Sequence, residues 1–399
     1  MNEHAAIKSK YDFAPVRAAM QRYVDGEILS GVSWAMLEGR DIVDMQAVGF
    51  SDREAKDPLR FDHIFRAFSN TKLVTSCAIM LLKEDGKLGL DDPIEKHIPQ
   101  LGNRRVLKQG ATDIGDTEPA RRSITVRDLL SHQSGLSYGI FDPGTPIFKA
   151  YNERVVLNPT TPLSDMIDKL EGLPLVFHPG EGWEYSVATD VLGRLVEVAS
   201  GQGFDAFIKA RIFDPLGMVD TGFFVPPEKQ DRLVGYYKGA DLLDPMKPGL
   251  TKLANSPYPG AYLGPAPRQS GGGGLVTTMA DMIALVRALL PGGTRLLKAE
   301  TIDEMMRSQL RDGQWIRFAM LGPMPGKAYG LGGAVTLTPG PLDPPASAGE
   351  FQWGGVAGTH WFINPRENIA GVVMAQRYMA FWNPFFFDFK RQAYAAMGR

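Results

Sequence analysis

The 399-residue sequence has a single cysteine, Cys77, which excludes an internal disulfide and leaves no thiolate cluster for a structural zinc. It lies in the apolar run LVTSCAIMLL and reads as core. The six histidines, His4, His63, His97, His132, His178 and His360, form no His-x-x-x-His pair, so a zinc hydrolase has no ligand set and neither metal nor other cofactor is expected. Charge of one sign is also missing. Lys plus Arg number 43 against 45 for Asp plus Glu, and no basic run interleaves with aromatics, which argues against nucleic acid as a partner. No apolar run reaches the roughly 18 residues of a membrane span, and the start MNEHAAIKSKYDFAPV lacks a secretory h-region; a soluble, cytoplasmic protein with no membrane partner is expected. The run GGGG, 271 to 274, lacks the lysine and spacing of a phosphate loop and is expected to be a tight approach to the sheet.

Residues 14 to 26 predict a helix, and GVSWAMLEG and DIVDMQAVGF predict a hairpin turning at Gly39 and Arg40. From about 70 to 250 the signals are mostly helical: NTKLVTSCAIMLLKEDG stops at Gly86, ITVRDLLSH opens on the capping pair Thr125 and Asp128, and ATDVLGRLVEVASG stops at Gly201. A Pro/Gly loop, SPYPGAYLGPAPRQSGGGG, precedes the helix TTMADMIALVRALL with its Thr278 and Asp281 cap. Strand patterns return in GLGGAVTLT, GEFQWGG, GTHWFINP and IAGVVMAQ, and NPFFFDFKRQAYAAM predicts a closing helix capped by Asn383 with Pro384 in its first turn. The expected class is therefore α+β: an antiparallel sheet built from both termini, flanked by helices, with a mostly helical lobe inserted. The strand-helix alternation of a doubly wound parallel sheet is absent. The aromatic stretch YMAFWNPFFFDF is expected to pack on the sheet with some rings covering a substrate entrance, or else to form the contact of a homo-oligomer.

Two serines compete for chemistry. Gly135-Leu136-Ser137-Tyr138-Gly139 matches Gly-x-Ser-x-Gly, the rarer string, whereas Ser69-Asn70-Thr71-Lys72 matches Ser-x-x-Lys. A nucleophile elbow needs a strand into the serine and a helix out of it. Ser137 instead follows the helical ITVRDLLSH and precedes IFDPGTPIF, which two prolines keep from being helical, so it reads as a turn. Ser69 begins a helix on which position i+3 lies beside position i, placing Lys72 next to its hydroxyl. A lysine works as a base near neutrality only where desolvation or positive field disfavours its charge. Both conditions are legible: Leu73, Val74, Cys77 to Leu82 make the helix apolar nearly all round, and its N-terminus carries positive partial charge. The plainer alternative makes Ser69 an N-cap with Lys72 in solvent.

The blocks RAFSNTKLVTSCAIMLLKEDGKLGLDDPIEKHIP, ITVRDLLSHQSGLSYG, PGEGWEYSVATDVLGRLVEVASG and FDPLGMVDTGF, completed by FQWGGVAGTHWFINP, occur in order over about residues 30 to 376. In this the chain resembles serine hydrolases of the class C β-lactamase type, and among them the family VIII carboxylesterases. The resemblance implies one β-lactamase-like catalytic unit over 1–399, with 1–70 and 250–399 as an α/β lobe and 71–249 as the mainly helical lobe. It also implies Ser69 as nucleophile, Lys72 as its base, and Tyr185 sharing proton transfer with Lys72. The backbone N–H groups of Ser69 and Val356 would form the oxyanion hole, with Trp353, Gly354 and Gly355 as the third motif. Tyr138 and Trp183 join those three as expected substrate-binding residues.

Two departures bear on substrate. Val187 stands where β-lactamases have the asparagine of Tyr-x-Asn, and Trp353 where they have the lysine of Lys-Thr-Gly, which removes a cation for a substrate carboxylate. A small-molecule ester with an apolar acyl group is the expected substrate. The alternatives are a β-lactamase, an amide or peptide hydrolase or an acyltransferase on the same fold, a non-catalytic binding protein, and an α/β-hydrolase using Ser137.

Overall fold

A computed structural model describes residues 7, 9–254, 257–292, 296–318 and 322–399. Its centre is an eight-stranded sheet. The strands are β1 Gly31–Glu38, β2 Asp41–Asp52, β3 Asp57–Pro58, β4 Lys327–Tyr329, β5 Ala334–Thr336, β6 Phe351–Gly354, β7 Thr359–Asn364 and β8 Ile369–Ala375. They run β4-β5-β6-β7-β8-β1-β2-β3, each antiparallel to its neighbour. The central pair joins the two ends of the chain, Val32 opposite Ala375 through Glu38 opposite Ile369. The predicted hairpin forms, with Gly39 at φ +56°, a conformation glycine adopts without strain.

The helices that position the site are α1 Ala14–Asp25, α2 Thr71–Glu84, α3 Val126–Leu130, α4 Pro146–Glu153, α5 Leu163–Leu170, α6 Ala188–Ser200, α7 Met279–Leu289 and α8 Phe385–Ala396. Their ends follow the expected signals: Thr125 and Asp128 form a reciprocal capping box, Thr278 accepts from the Asp281 N–H, and α6 stops at Gly201 with φ +71°. At α8 the cap shifts by one residue, since Pro384 is the N-cap and Asn383 Oδ1 accepts from the Phe385 N–H. Short pairs the sequence did not announce also form, Arg105–Leu107 with Thr117–Pro119 and Tyr237–Gly239 with Leu250–Lys252. Three residues are too few to show an alternation.

One sheet face packs on the helical side, where Ala35, Leu37, Trp361 and Val372 meet α2 and α7 in the main core. The other carries α1 and α8: Trp34, Phe362 and Val373 pack with Val16, Met20, Phe385 and Phe389. The α8 rings Phe385, Phe386 and Phe389 therefore lie on the face opposite the helical core, and for these rings the expectation of covering a substrate entrance is corrected. Phe386 stacks on His360 at 4.1 Å, and burial pushes the His360 pKa down to about 3. Among the described residues no helix is long and apolar enough to cross a membrane.

Under α8 lies a buried charge network. Lys390, fully buried, pairs with the fully buried Glu350 and lies 3.5 Å from Asp343, which binds Lys327 at 2.7 Å; Tyr394 Oη donates to Glu350 at 2.9 Å. Removing one partner strands a charge without water. Lys390→Met should therefore lower stability by about 3–5 kcal/mol in urea unfolding, and a loss below about 1 kcal/mol would show the network to be dispensable.

Candidate active site

Ser69 sits in a 3-10 turn, Phe68–Asn70, that feeds α2. The turn is entered from a short strand, Phe65–Arg66, paired with Val276–Thr277. Phe68 takes φ +46°, the left-handed region that costs a non-glycine residue energy and clusters at functional sites. Two contacts hold it there: the Ala67 N–H donates to Leu275 O at 2.9 Å, and Thr359 Oγ1 donates to Ala67 O at 2.9 Å.

Every residue of α2 from Thr71 to Leu82 is buried. An apolar helix wants an apolar surround, yet its first turns carry polar groups, and three of them reach one segment. Thr71 Oγ1 accepts from the Leu275 N–H at 3.1 Å, Lys72 Nζ donates to Gly272 O at 2.6 Å, and Thr75 Oγ1 donates to Gly271 O at 2.8 Å. The glycines permit this. A Cβ on Gly272 would lie 2.6 Å from Asp190 Oδ2 and 3.1 Å from Tyr138 Oη, and one on Gly271 would press on Thr189 O. The GGGG run thus approaches the first turns of α2 and α6 rather than the sheet, which corrects the expectation.

Lys72, 1% exposed, is held by that carbonyl with Nζ 3.4 Å from Ser69 Oγ and 4.6 Å from the Tyr185 ring. The alternative in which it points to solvent is overturned. Tyr185 Oη donates to Ser69 Oγ at 2.7 Å, and Trp353 Nε1 donates to Tyr185 Oη at 3.3 Å. Gly355 faces the same turn, where a Cβ would sit 2.6 Å from Ala67 O and 3.2 Å from Phe68 Cβ; Val356 follows in the β6–β7 turn. Gly354 has a packing reason, since a Cβ there would strike the His360 ring.

Rings surround Tyr185. Trp183 stacks on it at 6.2 Å and 17°, Tyr138 lies at 5.5 Å and Trp353 at 5.4 Å. The structure adds residues that sequence reasoning missed: Phe318 at 5.9 Å, and Tyr329, 5.1 Å from Trp353. His132, at φ +57°, packs 5.0 Å from Tyr185, and burial, aided by the Lys72 charge, drives its pKa well below the ordinary value. A second aromatic group, Tyr236 and Tyr262, touches Phe68 on its other side, and Tyr378 reaches Tyr236 at 6.5 Å.

Ser137 is 3% exposed, and its Oγ donates to Glu184 Oε1 at 3.3 Å. Its flanks are the expected turn, with Gly135 at φ +80° and Gly139 at φ +68°. Val187 is fully buried, and its N–H donates to Ser137 O at 3.1 Å.

The beta-lactamase family profile matches residues 16–380. Esterase EstB of Burkholderia gladioli is 32% identical over 342 residues, 81% of this chain and 80% of its own. Lovastatin esterase of Penicillium rubens is 33% identical over 337 residues, 79% and 80% of the two chains. Among solved structures EstCE1, described as a hydrolase with promiscuous acyltransferase activity, superposes with TM-score 0.77 at 25% identity over 95% of this chain and 97% of that one.

Glu184 adjoins Tyr185, and burial, reinforced by the Asp142 charge, pushes its carboxyl up to about 7 from 4.5. A carboxyl raised on folding favours the folded state below its unfolded pKa and forfeits that as pH climbs through the folded value. Relative to Glu184→Gln, the parent should lose up to about 3 kcal/mol of stability as pH rises from 4.5 through 7. Urea unfolding of both proteins on either side of that window checks it; a constant difference would contradict it.

Proposed function

This chain belongs to the beta-lactamase family, and on that premise we propose that it is a serine carboxylesterase working through an acyl-enzyme on Ser69. The observation that carries the reading is the convergence on one hydroxyl: Tyr185 Oη at 2.7 Å and Lys72 Nζ at 3.4 Å from Ser69 Oγ. Ser69 Oγ attacks the ester carbonyl carbon while its proton passes to the Lys72 and Tyr185 pair. The backbone N–H groups of Ser69 and Val356 take the developing oxyanion, the kind of contact whose loss costs about 10² to 10³ in rate. Collapse expels the alkoxide, which recovers the proton through Tyr185, and water then cleaves the acyl-enzyme by the same steps in reverse.

The rings of Tyr138, Trp183, Trp353 and Phe318 favour an apolar acyl group beside Ser69. Burial of Val187 and the indole of Trp353 on Tyr185 leave no polar side chain at those positions for a β-lactam's amide and carboxylate. Acyl transfer to an alcohol would use the same acyl-enzyme with the alcohol in place of water, and the description of EstCE1 keeps this second reading in view.

Hydrolysis of short p-nitrophenyl esters should fall by about 10³-fold or more in Ser69→Ala and by about 10² to 10⁴-fold in Lys72→Met and Tyr185→Phe, whereas Ser137→Ala stays near the parent rate. Loss in Ser137→Ala with retention in Ser69→Ala would sink the assignment.

A further inference from the structure

We propose that Arg268 is the carboxylate-binding residue of the substrate site, so that the ester this protein takes carries a carboxylate remote from the bond that is cleaved. The proposal rests on the esterase reading and narrows it: apolar beside Ser69, anionic at the far end. Arg268 is 7% exposed, and none of its three guanidinium nitrogens has a hydrogen-bond acceptor. The other buried arginines among the described residues are anchored, Arg104 donating to Leu170 O at 3.0 Å and Arg377 to Ile28 O at 2.9 Å, and half-buried Arg66 donates to Val234 O at 2.7 Å. A guanidinium removed from water with every donor unmet is costly, and its planar fork fits a carboxylate.

The charged and phenolic groups that Arg268 feels are Asp190, Asp165 and Tyr138. One oxygen of each acid is already engaged, and neither acid lies within hydrogen-bond reach of the guanidinium. Asp190 Oδ1 accepts from Ser270 Oγ at 2.5 Å and the Gly272 N–H at 3.4 Å; Asp165 accepts from Thr161 Oγ1 at 2.6 Å and pairs with Lys169 at 2.9 Å. The position leads to the site. Arg268 is four residues before Gly272, whose carbonyl holds Lys72, and Tyr138 stands against both Gly272 and Tyr185. A substrate lying along Tyr138 with its ester carbon at Ser69 would present its distal end toward the guanidinium.

The test compares the parent with Arg268→Gln and Arg268→Lys on matched pairs: mono-p-nitrophenyl glutarate against p-nitrophenyl valerate, and 4-(butyryloxy)benzoate against phenyl butyrate. The ratio of kcat/KM, charged over neutral, should fall about tenfold to a hundredfold in Arg268→Gln, through KM, with partial recovery in Arg268→Lys. The pair that responds identifies whether the carboxylate sits on the acyl or the alcohol side. Equal losses on charged and neutral esters would make Arg268 a structural partner of Asp190 and overturn the proposal. Calorimetric titration of glutarate into Ser69→Ala, with and without Arg268→Gln, reads the same contact without turnover: binding weakened by the second change supports it, and unchanged binding overturns it. Failure of the parent to cleave any ester would instead count against the esterase reading and leave the titration to decide Arg268.

Discussion

The hydrogen bond from Lys72 Nζ to the carbonyl of Gly272 is the constraint on which the rest of the site depends. Taking a lysine amine into the core is costly, and among the described residues Lys72 has no salt bridge to a carboxylate. A carbonyl at 2.6 Å fixes the nitrogen and points it at Ser69 Oγ. That carbonyl can come so close only because Gly271 and Gly272 have no side chains to push α6 and Tyr138 away. The strand pair Phe65–Arg66 with Val276–Thr277 then ties the glycine segment to the Ser69 turn.

The same logic explains why Ser69 follows a strained residue. Phe68 holds φ +46° because Thr359 Oγ1 and the Leu275 carbonyl fix Ala67 before it, while Gly355 and the rings of Tyr236 and Tyr262 close around its side chain. The sheet reaches the site there: β6 and β7, drawn from the C-terminal part, bring Trp353 to Tyr185 and Gly355 against Ala67 and Phe68.

Much of this was legible beforehand where spacing carries the information. The i and i+3 relation of Ser69 and Lys72, the apolar girth of α2, the hairpin at Gly39 and the capping pairs all depend on neighbours in the chain. What escaped depends on neighbours in space. Phe318 and Tyr329 belong to no motif, and His132 lies in one that does not mark it; all three join the rings around Tyr185 only through folding. Gly272 acts through a carbonyl, which no residue type advertises, though four successive glycines signalled a close approach of some kind. The far-face placement of Phe385 and Phe389 was misread because a cluster of aromatics has no direction until the sheet gives it one. Ser137 shows the opposite hazard: a rare string whose hydroxyl ends on the carboxyl of Glu184.

The central claim is that Ser69 Oγ is the atom that becomes acylated, and covalent labelling tests it most directly. After reaction with a serine-directed fluorophosphonate, digestion and mass spectrometry should find the adduct on the peptide containing Ser69, with labelling slowed in Lys72→Met. An adduct on the peptide containing Ser137, or no adduct on either serine, would contradict the account.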